Sequence, residues 1–185
     1  MKVLFLGLAF GLLFSLVGQV VGTTQFHQKE TVEQKAPDLG VSLVADKHRY
    51  KPGDPVKLKV LLVNSNAVKD IFVYGTLQFG VRASFTLFRR DAKGKEVPTR
   101  FIDDAWELPP KSNDVSAFVK LLPFHFLGTT YKSSIHLLSM EQPGRYTMWV
   151  EYHSPISAAN VEVTPFWGKE NGPIKSNVVE IEVLP

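Results

Sequence analysis

Cysteine is absent from the whole 185-residue chain, and that one absence excludes three things. No disulfide can staple the fold, no thiolate can act as a nucleophile, and the lipid-modified bacterial leader, which needs a cysteine at its cut, is ruled out. Charge of one sign is scarce as well. Lys and Arg number 21 against 18 Asp and Glu, a formal net charge of +3, far from the footprint of a nucleic-acid-binding domain.

Motifs that carry chemistry are also missing. The chain has no Gly-x-Ser-x-Gly elbow and no phosphate-binding glycine loop, so a hydrolase serine lacks its turn and a nucleotide its cradle. The histidines, His27, His48, His125, His136 and His153, never fall at the spacing that sets two ligands on one face of an element. No repeat with a period of roughly 20 to 50 residues occurs, which excludes a solenoid or propeller.

What is present starts at the N-terminus. Met1 and Lys2 precede an almost continuous apolar run over 3–17, and Val20, Val21 and Gly22 put small or compact residues before a cut after Gly22. Residues 1–22 read as a secretory signal peptide, which places the mature protein in the periplasm or outside the cell. An uncleaved anchor is the alternative, since the run extended to Val21 approaches the ~20 residues that span a bilayer. Gly7, Gly11, Ser15, Gly18 and Gln19 weaken that span. After cleavage no membrane association is expected, and an exported chain without cysteine suits a bacterial envelope.

Residues 23–38 are polar, carry Lys29, Glu30, Glu33 and Lys35, and read as a flexible linker. Residues 39–185 then suit one domain with a core large enough to stand alone, and a monomer is expected. Their pattern has period two. In 55–63, Val56, Leu58, Val60 and Leu62 point one way and Lys57 and Lys59 the other, so one face is buried and one wet. Lys51-Pro52-Gly53-Asp54 forms a turn before this strand, and Asn64-Ser65-Asn66 ends it by bonding the local backbone.

Further strands are predicted over 41–45, 70–74, 81–88, 95–97, 133–138, 145–152 and 177–183. Their inward sets include Val81, Ala83, Phe85 and Leu87, then Tyr146, Met148, Val150 and Tyr152, and finally Val179, Ile181 and Val183. Short strands separated by proline and glycine turns predict an all-β, antiparallel β-sandwich. Two long loop inserts, 99–114 and 122–132, interrupt it, and function is expected to concentrate on such loops.

Tyr50-Lys51-Pro52-Gly53-Asp54-Pro55-Val56 and the closing Asn64-Ser65 resemble the opening of many exported bacterial immunoglobulin-like sandwiches. Gln142-Pro143-Gly144-Arg145-Tyr146 is similar to the entry to their penultimate strand. The resemblance implies a structural corner at Gly144 and Tyr146, with the tyrosine hydroxyl bonded back to the preceding connection. A weaker likeness is to the intracellular proteinase inhibitor (BsuPI-like) family, through the opening strand and a hairpin like 85–97. None of that family's inhibitory residues has a counterpart here, and both likenesses rest on scaffold motifs.

Asp103, Asp104, Glu107 and Asp114 are candidates for a calcium loop or for acid–base work, weighed against an ordinary solvated acidic loop. The aromatic residues offer more. Trp149, predicted to face away from Tyr146 and Met148, joins Phe166, Trp167, Phe124 and Phe126 as candidate binding aromatics for a protein or polysaccharide. Against this stands the reading that they only cap the sandwich.

The leading expectation is a non-catalytic exported domain that binds another macromolecule and carries no cofactor or metal. A protease inhibitor acting through 105–115, which contains Pro109 and Pro110, is the alternative. A carbohydrate-binding module using Trp149, Phe166 and Trp167 is a third reading, and an enzyme comes last.

Overall fold

The computed structural model describes residues 38–79, 84–98 and 114–185. The leader, the linker up to residue 37, Val81, Ala83 and the segment 99–113 lie outside the described residues. Ala36–Pro185 form one compact unit.

The strands are β1 (Leu39–Ala45), β2 (Arg49–Tyr50), β3 (Pro55–Asn64), β4 (Ile71–Tyr74), β5 (Phe85–Asp91), β6 (Phe118–Leu121), β7 (Phe126–Ser134), β8 (Gly144–Tyr152), β9 (Ile174–Lys175) and β10 (Val179–Val183). A three-stranded sheet has the order β1-β3-β7, and a second sheet the order β2-β10-β8-β5 with β9 on β8. A separate pair is made by β4 and β6. Pairing is antiparallel except where β2 runs parallel to β10. A first strand split between both sheets, opposite a sheet whose centre is the last two long strands, is the immunoglobulin arrangement.

The core follows from the alternation. Val56, Leu58, Val60 and Leu62 are fully buried and meet Met148, Val150, Ile181 and Val183 from the other sheet in one cluster. Each such side chain contributes about 1.5–3 kcal/mol by leaving water. Two tyrosines lock the ends. Tyr146 is buried and its hydroxyl donates to the Gln142 carbonyl at 2.8 Å, the corner expected from Gly144, whose φ of 148° suits a residue without Cβ. Tyr50 donates to Asp46 Oδ1 at 2.8 Å, and its burial and this bond raise its pKa.

Turns form where proline and glycine placed them. The Asp54 amide donates to the Lys51 carbonyl with Gly53 at φ 84°. The Gly94 amide donates to the Asp91 carbonyl, and Val97 returns to pair with Arg89.

Two expectations need correction. The strand placed over 133–138 ends at Ser134, and the next residues form a helical turn, with the Leu138 amide donating to Ser134 and that of Ser139 to His136. The buried residues there are Ile135 and Leu138, a spacing of three that suits a turn of helix. The strand itself lies mostly inside 122–132, which is therefore not a loop insert. Its apolar signal is faint because β7 is an edge strand with one wet face. Arg89, one residue past the strand expected over 81–88, is fully buried at an inward position of β5. Its guanidinium donates to the carbonyls of Leu138 and Pro98, and burial lowers its pKa to about 10, which leaves it charged at neutral pH.

Candidate binding surface

The outer face of the three-stranded sheet divides into an apolar end and a basic end. β3 turns Lys57, Lys59, Leu61 and Val63 outward, opposite its buried set. Register places Phe126 of β7 against Val63, Gly128 against Leu61, Thr130 against Lys59 and Lys132 against Lys57. On the other flank β1 brings Ser42 beside Leu61 and Val44 beside Lys59. Leu61 and Val63 are half-buried, whereas Phe126 is 60% and Val44 50% exposed. A Cβ at Gly128 would stand 2.7 Å from Leu61 Cδ2, so glycine leaves Leu61 its place.

The apolar end continues into the turn before β7. Phe124 is 67% and Leu122 42% exposed, and Phe124 has φ of 60°. A side chain in that left-handed region costs about 1–2 kcal/mol unless its surroundings impose it. Asn64 imposes it. Its carbonyl accepts from the Phe124 amide at 3.0 Å, its amide donates to the His125 carbonyl at 2.9 Å, and the His125 amide closes the turn on Leu122.

The Asn64 side chain, fully buried, donates through Nδ2 to the carbonyls of Leu121 and Lys69, each at 2.9 Å. Its Oδ1 accepts from the Asn66 amide at 3.0 Å. One asparagine thereby ties the 65–70 loop, which carries the 83%-exposed Val68, to the turn bearing the phenylalanines. Holding apolar rings in water has no folding benefit, which makes so well-anchored a display a candidate contact surface.

The basic end gathers like charges. Lys57 and Lys132 sit directly opposite each other, an arrangement that destabilises a sheet, and Lys59 is diagonal to Lys132. Among the described residues none of the three has an ion pair. The Asp46 carboxylate accepts from the Lys57 amide and the Tyr50 hydroxyl. Burial opposes its ionisation, but these bonds outweigh that and hold its pKa below the usual value. The other sheet is the reverse: Arg49 pairs with Glu182 at 2.9 Å.

The structure places the remaining sequence candidates elsewhere. Trp149 does face away from Tyr146 and Met148, but it is only 7% exposed. Phe88 stacks on it at 5.3 Å, and Lys175 and Arg90 cover the ring at 4.3 and 5.1 Å. It is not a bare platform, because cross-strand neighbours on β5 and β9 close over it. Phe166 is buried as well, edge-on to Phe118 in a small second cluster, because the 165–167 segment docks along β4. Trp167 is half-buried against the main core.

Only Phe124 and Phe126 of the five are exposed. Asp103, Asp104 and Glu107 lie outside the described residues, and Asp114 is exposed beside Ser116. The loop 105–115 is described only at Asp114 and Val115. Sequence reasoning missed Lys132 and the role of Asn64 in shaping the turn.

No family model and no curated protein sequence matches the chain. Among solved structures, the CARDB domain of PF1109 from Pyrococcus furiosus is similar at 13% identity and a TM-score of 0.37, over 80% of this chain and 94% of that one. The sporulation control protein Spo0M from Bacillus subtilis is similar at 12% identity and a TM-score of 0.41, over 81% of this chain and 51% of that one. The fold assignment rests on the strand topology described above.

Proposed function

We propose that the chain is a non-catalytic, exported immunoglobulin-like domain that binds another macromolecule through the apolar end of its three-stranded sheet. Export rests on the leader-like 1–22 segment. The binding reading is carried by one observation: Phe124 and Phe126 stand in solvent at 67% and 60% exposure on a turn held by a fully buried asparagine. A mobile loop would bear exposed rings by accident, whereas an anchored one presents them at no further ordering entropy on binding.

Because the chain has no native cysteine, a single introduced one reports on one place. His125→Cys carrying a photo-crosslinker should yield discrete adducts in the source cell that are lost in the Phe124→Ser/Phe126→Ser background. A matching probe at Glu180→Cys, on the outer face of the other sheet, should not yield them. Equal adducts from both positions, or no adduct with either protein or lipid from 125, would refute the reading.

A further inference from the structure

The surface reads further than its existence, given the binding role just proposed. Three features constrain what covers it. First, the phenylalanines project: at these exposures, with Val68 at 83% and Leu122 at 42%, the described residues raise no wall around the rings. A peptide or a sugar ring is gripped in a concavity lined on several sides, whereas a fluid interfacial layer envelops side chains that project into it. Second, Lys57, Lys59 and Lys132 form a like-charged cluster without an ion pair among the described residues. A layer of phosphates relieves that repulsion. Third, both features share one sheet face. Val63 and Lys57 lie six positions apart on β3, about 20 Å at the usual rise of a strand, so one flat surface can meet both at once.

We infer that this face docks on an anionic lipid surface, with Phe124 and Phe126 entering the interfacial layer and Lys57, Lys59 and Lys132 meeting headgroup phosphates. This departs from the expectation, drawn from the leader alone, that the mature protein has no membrane contact. Each lysine near such a surface strengthens binding about fivefold, so losing all three should weaken it roughly a hundredfold. Because the lysines are exposed, the attraction should also fade as salt shortens the Debye length below the ~8 Å of physiological ionic strength.

The test uses the full chain with an environment-sensitive fluorophore on His125→Cys, so that vesicle binding through the apolar 3–17 segment does not itself move the signal. Vesicles of phosphatidylcholine with about one-third phosphatidylglycerol should shift and protect the label. Pure phosphatidylcholine should do so weakly, and the Lys57→Gln/Lys59→Gln/Lys132→Gln variant should lose roughly a hundredfold in apparent affinity. A label on Glu180→Cys should stay in water throughout.

Equal immersion in neutral vesicles, or an unchanged triple variant, would overturn the anionic assignment. A label that stays wet with every vesicle, while His125→Cys still forms Phe124- and Phe126-dependent adducts with a protein, would overturn the lipid partner. That outcome would leave the face as a protein-binding surface. Absence of both signals would remove the binding role itself.

Discussion

Replacing Asn64 by Ala tests the link between the fold and its exposed turn. The main-chain bonds of residue 64 to Phe124 and His125 survive the change, so the variant isolates the side chain. It loses two donated bonds, to Leu121 and Lys69, and one accepted from Asn66. At about 1 kcal/mol net for each bond the loss is about 3 kcal/mol, rising to about 5 where a group is left buried and dry. That is a large share of a domain's total of about 5–15 kcal/mol.

Urea melts of the full chain should therefore show a lower midpoint with an unchanged slope, together with fewer adducts from a crosslinker at position 125. Asn64→Asp is the sharper control. It keeps the volume and the acceptor but faces two carbonyl oxygens with a buried carboxylate, so it should cost more than Ala at neutral pH. Burial raises such a carboxyl's folded pKa, so this variant should recover stability as pH falls through that value. A loss below about 0.5 kcal/mol for Asn64→Ala, with adducts intact, would refute the clamp, since that is the range of an uninvolved surface change.

The other predictions concern the frame. Tyr146→Phe removes only the bond to Gln142 and should cost about 1 kcal/mol, up to about 3, whereas Tyr146→Ala should cost about 3–5 kcal/mol by opening a cavity. Trp149→Ala should fall near the lower end of that cavity range, about 3 kcal/mol, because Phe88, Arg90 and Lys175 cover the ring; a near-neutral melt would show it to be uncovered. Asp46, held below its ordinary 3.8, stabilises the fold fully above that pH, and the stabilisation is lost as pH falls through the lower folded value. Denaturant melts between pH 5 and pH 2 should show a shallower decline for Asp46→Asn than for the parent, and parallel curves would exclude the contribution.

Much of the scaffold could be read from the chain because its causes are local. The alternation over 56–62 sets which side of β3 is buried, the Pro-Gly pairs at 52–53 and 143–144 set the turns, and the Tyr146 corner, which the resemblance to immunoglobulin-like sandwiches implied, closes on Gln142 only four residues away. β7 was legible only poorly: an edge strand buries one face at most, so Phe126, Thr130 and Lys132 look like loop residues until a partner strand is known. The burial of Trp149 and Phe166 came from neighbours distant in sequence, Phe88 and Lys175 for one and Phe118 for the other.

The binding surface divides the same way. The sequence by itself determined that Lys57 and Lys59 face water, and it offered Phe124 and Phe126 as candidate binding aromatics within 122–132. Only tertiary structure decided that Lys132 stands opposite Lys57 and Phe126 beside Val63. Period two says which residues of one strand share a face, but cross-strand neighbours depend on register, which long-range packing sets.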